Sequence, residues 1–191
     1  MSRLSAVAVT GNLSSPSRTV VLAKALLKAL EEQHAFDSSL IDLATFARPL
    51  GQSLYRTELP PSIESALQTA EQADVLVVVT PVFRSSFSGL FKHFFDLFDL
   101  NALEEVPVIL AATGGSERHT LVIEHSLRPL FSFFRAHTVP TTIFASERDF
   151  DSERRIAPEV ILRAEQAARQ ATLLLRPRLP RVTSISRNLT V

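Results

Sequence analysis

The chain of 191 residues contains no cysteine, and this absence removes several kinds of chemistry at once. Without thiols there are no disulfides, no thiolate nucleophile and no thiolate metal site. A chain without cysteine suits a reducing compartment, so we expect a cytoplasmic location. Residues 1–10 also lack the basic start and the cleavage site of a secretory signal, and their apolar composition indicates a strand instead.

Neither an excess of one charge nor a long apolar run is present. Lys plus Arg number 20 and Asp plus Glu also number 20, whereas nucleic-acid-binding proteins usually carry a basic excess. No apolar run approaches the roughly 20 residues of a membrane span. The five histidines include no His-x-x-x-His pair with a nearby carboxylate. We therefore predict no nucleic-acid partner, no membrane segment and no metal site.

What the sequence does contain is an alternation of strand-like and helix-like segments. Branched apolar runs predict strands at 4–9, 39–43, 75–79, 106–112 and 141–145. Helical spacing predicts helices at 17–30, 61–73, 89–100, 120–137 and 158–175. Strands that are apolar at nearly every position are typical of a parallel sheet covered on both faces. The sequence thus predicts an α/β fold, doubly wound and flavodoxin-like, with five parallel strands in the order 2-1-3-4-5 and helices on both faces.

The domain organisation follows from the same pattern. We expect one domain over residues 1–175, followed by an extended tail over residues 176–191 that is basic and polar and contains two prolines. In such a sheet, ligands bind beyond the carboxyl ends of the strands, near the point between strands 1 and 3 where the strand order reverses. The loops after the first, third and fourth predicted strands are therefore the places to look for a binding site.

The first of these loops, 11–19, is rich in hydroxyls, holds one arginine and leads into a helix. Unpaired N–H groups at a helix start, together with hydroxyls and a guanidinium, make a cradle for a phosphate monoester. The loop matches neither Gly-x-Gly-x-x-Gly nor a P-loop, which argues against a dinucleotide-binding Rossmann fold and against ATP hydrolysis. The alternative interpretation is helix capping by Ser14, Ser15 or Ser17.

The other two loops suit a flat ring. In the loop 80–92, Pro81 stops the strand and a short aromatic segment follows that could wrap a flat ligand; the alternative places Phe83 and Phe87 in the core. In the loop 113–119, the adjacent Gly114 and Gly115 permit positive φ and close contact with a ligand; the alternative is a plain turn. All three loops fall at the same predicted edge of the sheet.

The motifs in these loops resemble those of the NAD(P)H-dependent FMN reductases. The resemblance rests on the spacing of Gly11 and Pro16-Ser17-Arg18-Thr19, then Thr80-Pro81-Val82-Phe83 with Ser88-Gly89-Leu90-Phe91-Lys92, then Thr113-Gly114-Gly115. It extends from about residue 6 to about residue 174 and is closest to the reductase components of two-component monooxygenases that desulfonate alkanesulfonates and methanesulfonate. The resemblance implies hydride transfer from NADPH or NADH to FMN, with reduced FMN supplied to a partner flavin-dependent monooxygenase.

The resemblance also implies which residues bind FMN. Gly11, Asn12, Ser17, Arg18 and Thr19 would hold the phosphate, Pro81, Val82, Phe83 and Ser86 would border the ring, and Thr113, Gly114 and Gly115 would lie along its other edge. Family members often have Tyr where this chain has Phe83, so ring packing rather than a polar role is expected there. Because the cofactor carries the redox chemistry, no catalytic nucleophile or general base is required. Arg84 and Arg118 are candidate cations for a 2′-phosphate of NADPH.

Two alternative functions use the same fold. One is an NAD(P)H quinone or azo reductase in which FMN stays bound and the acceptor changes. The other is a non-enzymatic electron carrier of the flavodoxin type, which the neutral net charge and Arg18 disfavour, because such carriers are usually strongly acidic.

The long predicted helix at 120–137 holds one further feature. Relatives carry an inserted residue here that produces a π-bulge at a subunit interface, and His125 matches that position. Pro129 cannot donate a hydrogen bond to the carbonyl of His125, four residues earlier, so a local bulge is expected on physical grounds as well. By resemblance, His125 would favour flavin exchange; the alternative is a partly exposed helical histidine.

Aromatic residues are more numerous on two helices than one core stripe requires. The residues concerned are Phe91, Phe94, Phe95, Phe98, Phe131, Phe133 and Phe134. We expect them to form the interface of a homodimer or homotetramer. The alternative is a core that is unusually rich in aromatic side chains.

Overall fold

The apolar runs form the strands of one parallel sheet in the computed structural model, which describes residues 3–175. The strands are β1 Leu4–Thr10, β2 Phe36–Asp42, β3 Val75–Pro81, β4 Pro107–Gly114, β5 His137–Thr138 and β6 Ile143–Ser146. Their order is β2-β1-β3-β4-β5, with β6 also paired to β4, so the predicted order is confirmed and a sixth short strand is added. The predicted tail at 176–191 lies outside the described residues.

The fifth position in the sheet is shared by two short strands. β5 pairs with Pro107 and Val108 of β4, and β6 pairs with the stretch of β4 from Ala111 to Gly114. Pro140 lies between β5 and β6 and has no N–H to donate to a neighbouring strand. The edge of the sheet is therefore interrupted there, which the single predicted strand at 141–145 did not anticipate.

Within residues 3–175, five α-helices lie between the strands and a sixth follows the last strand. They are α1 Arg18–Glu31, α2 Ala47–Gln52, α3 Pro61–Glu71, α4 Gly89–Asp96, α5 Arg128–Phe133 and α6 Pro158–Leu173. Short 3-10 turns cover Leu43–Phe46, Arg56–Glu58, Glu117–His119 and Glu147–Asp149, and a π-helical turn covers Ile123–Leu127. None of the helices among residues 3–175 combines the length and apolar character that a membrane crossing requires.

Two predicted helices extend too far. The helix predicted at 89–100 ends at Asp96, and the one predicted at 120–137 ends at Phe133. The second stop is a Schellman motif, in which Arg135 N–H bonds to the Ser132 carbonyl and Ala136 N–H bonds to the Phe131 carbonyl, with Arg135 at φ 57°. Because glycine or asparagine normally marks this stop, an arginine in the left-handed region gave no signal in the sequence.

The core lies on both faces of the sheet. Along β3, Leu76 and Val78 belong to one cluster while Val75, Val77 and Val79 belong to the other, and all five are fully buried. α1 and α6 cover the second face, and α2 to α5 cover the first. This double burial explains why the strands are apolar at nearly every position.

The expected aromatic interface is mostly a core. Six of the seven residues are buried within the chain: Phe91, Phe94, Phe95, Phe98, Phe131 and Phe134. They form a continuous stack of tilted and edge-to-face rings, with centroids 4.8–6.1 Å apart. Only Phe133 of this set is exposed, at 64%. The six buried rings therefore do not supply the subunit interface that the number of aromatic residues suggested.

Candidate functional site

Three loops meet at the carboxyl edge of the sheet, as the sequence predicted. Val82 N–H donates to the Thr113 carbonyl (2.8 Å), which joins the loop after β3 to the end of β4. The Ser88 hydroxyl donates to the Gly11 carbonyl (2.7 Å), and the Thr19 and Thr113 hydroxyls lie 2.8 Å apart and buried. These contacts hold the three predicted segments against one another.

The first loop opens α1 with an incomplete set of hydrogen bonds. Ser17 is the N-cap, with its hydroxyl accepting from Thr19 N–H (3.2 Å) and its carbonyl accepting from Val21 N–H (3.3 Å). Within residues 3–175 the N–H groups of Arg18 and Val20 have no partner, and the first turn holds no acidic residue. The capping interpretation is therefore correct for Ser17, and it leaves N–H groups at the positive end of the helix for an anion.

Asn12 anchors the base of this loop through a residue that the sequence analysis missed. Its amide nitrogen donates to Asp42 Oδ1 (3.0 Å) and to the Ser14 carbonyl (3.2 Å). Asp42 ends β2, directly opposite Thr10 in the register, and also accepts from Ala44 N–H (3.1 Å). An acid at the end of a strand adjacent to β1 was the available signal. Asn12 Oδ1 is buried and has no donor in the described part of the chain.

Arg18 is held by a second residue that the sequence analysis did not single out. Its Nη2 lies 2.7 Å from Oε1 of Glu147, which follows β6 directly. The two side chains are 41% and 66% exposed and border an open polar cleft of about 310 Å³ beside Pro16 and Phe150.

The second loop forms a tight turn that presents apolar surface. Phe83 and Ser86 exchange backbone hydrogen bonds of 2.8 and 3.1 Å, and the two residues between them, Arg84 and Ser85, have φ of 50° and 66°. Positive φ at both central positions is typical of a type I′ turn. Phe83 is 44% exposed, whereas Phe87 packs on Phe91 with centroids 5.7 Å apart. The core alternative is thus wrong for Phe83 and correct for Phe87.

The third loop uses its glycines for space rather than for positive φ. None of the glycines in the described residues has positive φ, so that expectation for Gly114 and Gly115 is wrong. A Cβ at Gly114 would lie 2.7 Å from Cζ of Phe144, so a side chain at this position would require the Phe144 ring to shift. A Cβ at Gly115 would meet no atom within 4 Å. Gly114 therefore allows close packing of Phe144, whereas Gly115 faces open space.

The predicted bulge at His125 is present. The π-helical turn Ile123–Leu127 contains His125, and Arg128 N–H bonds to the Ile123 carbonyl five residues earlier. Pro129 follows and cannot donate to the His125 carbonyl, which supplies the physical reason for the local π geometry. The His125 side chain is exposed.

His125 borders a cavity of about 190 Å³ beside the second and third loops. The cavity is lined by Ser85, Arg118, His119, Leu121, Val122 and His125. The acidic side chains of this segment form ion pairs with residues outside the cavity lining: Glu117 pairs with Arg148, and Glu124 pairs with Arg128 at 2.6 Å. The hydrogen bond from Arg128 holds the pKa of Glu124 below its ordinary value. Within residues 3–175 Arg118 has no ion-pair partner, so the cavity has a basic lining.

The profile of the family described as NADPH-dependent FMN reductase matches residues 4–151 of this chain. The chain belongs to this family. It is 53% identical over 175 residues to the NADH-dependent FMN reductase SfnF of Pseudomonas fluorescens, covering 91% of this chain and 94% of that relative. It is 49% identical over 168 residues to an FMN reductase (NADPH) of Pseudomonas aeruginosa, covering 88% and 90%.

Solved structures agree with this assignment. The apo form of an NADH:FMN oxidoreductase (EMOB) superposes with a TM-score of 0.80 at 26% identity, covering 92% of this chain and 91% of that one. A WrbA-like flavodoxin from Agrobacterium tumefaciens, at 16% identity and a TM-score of 0.63 over 91% and 98% of the two chains, shows the shared fold alone. The predicted family, flavodoxin-like fold, flavin reductase class and dependence on FMN and NAD(P)H are confirmed. The electron-carrier alternative is not supported.

Proposed function

We propose that this flavin reductase binds FMN across the three loops at the carboxyl edge of the sheet. The observation that carries the proposal is their convergence: Arg18 and Val20 offer unpaired N–H groups beside an apolar turn and an open glycine. The buried Asn12 Oδ1, without a donor among the described residues, adds an acceptor that a ligand hydroxyl can satisfy. The free N–H groups suit a phosphate, the Asn12 oxygen suits a hydroxyl of a polyol chain, and the apolar turn suits a flat ring.

Each segment has a distinct task in this proposal. Bound FMN supplies the ring that accepts a hydride from the nicotinamide. Ser17, Arg18 and the first turn of α1 hold the phosphate, and Thr19 fixes the loop through its hydroxyl contact with Thr113. The second loop gives the ring an apolar border through Pro81, Val82 and Phe83, with Ser86 closing the turn. The backbone of Thr113, Gly114 and Gly115 lies along the opposite edge.

The basic cavity gives the nicotinamide nucleotide its phosphate contacts. Arg118 lines it, His119 and His125 stand beside it, and Arg84 lies in the adjacent turn next to Ser85. A nucleotide with several phosphates is drawn to a site whose nearby acids are already paired. Arg118→Gln is expected to raise the KM for NADPH about fivefold, as for the loss of one charge-assisted hydrogen bond. An unchanged KM would remove this assignment.

Reduced FMN then leaves for a flavin-dependent monooxygenase. The sequence resemblance to reductase components supports this step, and so does the exposure of Phe83, because a half-open site permits flavin release. A homodimer or homotetramer is supported by the exposed Leu121 and Phe133 on the segment that carries the π-turn. The absence of cysteine supports a cytoplasmic location.

The experiment is a steady-state assay of nicotinamide oxidation with FMN varied. We expect oxidation only when FMN is added or retained, with FMN behaving as a saturable substrate. No oxidation in the presence of both reactants would refute the assignment. Turnover that depends on a quinone or azo acceptor but not on added FMN would favour the quinone or azo reductase alternative, with FMN kept on the protein.

A further inference from the structure

The contact between α1 and the turn after β6 joins the only cation of loop 11–19 to a carboxylate. Arg18 Nη2 donates to Glu147 Oε1 at 2.7 Å across 129 positions of sequence. Within residues 3–175 neither side chain has another hydrogen-bond or ion-pair partner. The guanidinium expected to meet a phosphate is therefore already neutralised by a residue of the same chain.

Local structure, not Arg18, fixes the backbone of Glu147. Ser146 N–H and the Ser146 hydroxyl both donate to Asp149 Oδ2 at 2.7 Å, a capping box that closes the turn Glu147–Asp149. β6 anchors the start of this turn through its pairing with β4. Glu147 would thus remain beside the loop when Arg18 bonds to a different anion.

The charges make the two anions competitors. A phosphate monoester carries nearly two negative charges at neutral pH. A carboxylate beside Arg18 occupies one of its N–H donors and repels a second anion at short range. The cleft that Arg18 and Glu147 border is open, so a phosphate can reach Arg18 from solvent.

We propose that Glu147 competes with the phosphate of FMN for Arg18 and thereby keeps the flavin exchangeable. The inference rests on the proposed function, since it requires the phosphate to bind at the start of α1. Glu147 acts through Arg18 and is a positioning residue. It makes FMN a substrate that is released between turnovers rather than a cofactor that stays on the protein.

The test is a fluorescence titration of the full chain with FMN and with riboflavin, which lacks the phosphate. Glu147→Gln is expected to lower the Kd for FMN about three- to tenfold at low salt and to leave the Kd for riboflavin unchanged. The gain is expected to shrink as salt is raised, because exposed charges are screened. The FMN dissociation rate in stopped flow falls by the same factor.

Glu153→Gln is the matched control. It removes the same charge from the neighbouring turn, where Glu153 is 69% exposed and pairs with Arg155 rather than Arg18. We expect less than a twofold change in its Kd for FMN. In an Arg18→Gln background the gain from Glu147→Gln is expected to fall below twofold, because the shared cation is gone.

The outcomes separate the inference from the function on which it rests. If the wild-type protein binds FMN no better than riboflavin, the phosphate is not held at this loop, and both the cradle and the inference fail. If FMN binds better than riboflavin but Glu147→Gln leaves its Kd unchanged or raises it, the cradle stands and the competition is refuted.

Discussion

Both faces of the sheet are buried but are packed by different side chains. Between the β-strands and the pair α1 and α6, the buried core is aliphatic except for Phe36, and α6 contributes mainly alanines: Ala164, Ala167, Ala168 and Ala171. On the opposite face, α4, α5 and the residues just after each of them contribute the stack of phenylalanines. Small side chains let α6 lie close against α1, the helix whose start forms the phosphate loop. The aromatic stack instead supports the turns that border the proposed ring site.

The proposed site thus has two ends, the phosphate loop at the start of α1 and the turns that border the ring. The aliphatic core supports the first end, and the aromatic core supports the second. Ser17 caps α1 on the aliphatic face, and Ser88 caps α4 on the aromatic face. Contacts such as the Thr19–Thr113 pair and the bond from Ser88 to Gly11 connect the two ends. Substitutions confined to one face should therefore affect the two ends unequally.

The largest expected effect is the removal of a ring from the centre of the aromatic stack. Phe95 is fully buried and contacts the rings of Phe91, Phe94, Phe98 and Phe131. Phe95→Ala is expected to lower the free energy of unfolding by about 3–5 kcal/mol, because it removes buried surface and leaves a cavity. Leu26→Ala on the aliphatic face should cost about 2–4 kcal/mol. Denaturant unfolding measures both, and a smaller loss for Phe95→Ala would remove the distinction between the faces.

The next effect concerns a charged network at the rim of the aromatic face. Arg56 bonds to Glu71 at 2.8 Å and to Glu64 at 2.8 Å. Burial raises the pKa of Glu71, whereas the hydrogen bond from Arg56 lowers the pKa of the more exposed Glu64. Arg56→Met is expected to cost about 2–3 kcal/mol, because it removes the cation beside a buried carboxylate.

The pH dependence of the Arg56→Met variant follows from the direction in which the pKa of Glu71 is shifted. A carboxyl whose pKa is higher in the folded than in the unfolded state makes the folded state less stable as pH rises through the raised value. Loss of Arg56 raises the pKa of Glu71 further, so the stability loss should be larger at neutral than at mildly acidic pH. Arg155→Met, which breaks an exposed pair with Asp151, is the control and should lower the free energy of unfolding far less than Arg56→Met does. An equal loss at both pH values would contradict the assignment to Glu71.

Variants of the two adjacent glycines in the third loop test packing and ligand contact separately. Gly114→Ala is expected to cost about 1–3 kcal/mol of stability, since its Cβ would overlap the ring of Phe144. Gly115→Ala should change stability by less than about 0.5 kcal/mol. If the backbone at Gly115 borders the flavin ring, this variant should nevertheless raise the Kd for both FMN and riboflavin. Unchanged Kd values would remove Gly115 from the site.

The two capping serines are expected to give smaller losses of stability than Gly114→Ala, together with a contrast in ligand affinity. Ser88→Ala should cost about 1–2 kcal/mol, because the buried hydroxyl both caps α4 and donates to Gly11. Ser17→Ala should cost about 1 kcal/mol. Affinity should show the reverse order, with Ser17→Ala weakening FMN but not riboflavin. Equal effects of both variants on the Kd for FMN would contradict the separation of the two ends.

Much of the fold could be predicted because its pattern is local. Four of the five predicted strands, and the starts of α1, α3, α4 and α6, agree with the structure to within about two residues. Apolar periodicity and helix-start residues, such as the N-cap Ser17 and the first-turn Pro61, can be recognised in consecutive positions of the sequence. β2 begins three residues before its prediction because the polar Asp37 and Ser38 are exposed on an edge strand and hide the apolar pattern. The short α2 was missed, and the end of α5 was hidden because Arg135 is not a residue that usually marks a helix stop.

The sequence by itself determined the strand order, the three loops at one edge and the bulge at His125, because each follows from neighbouring residues and the handedness of the connections. Only the tertiary structure decided what those loops touch. Asp42 under Asn12, Glu147 beside Arg18 and Phe144 against Gly114 come from parts of the chain about 30 to 130 residues away. Such pairings are set by packing across the sheet, which no local pattern records.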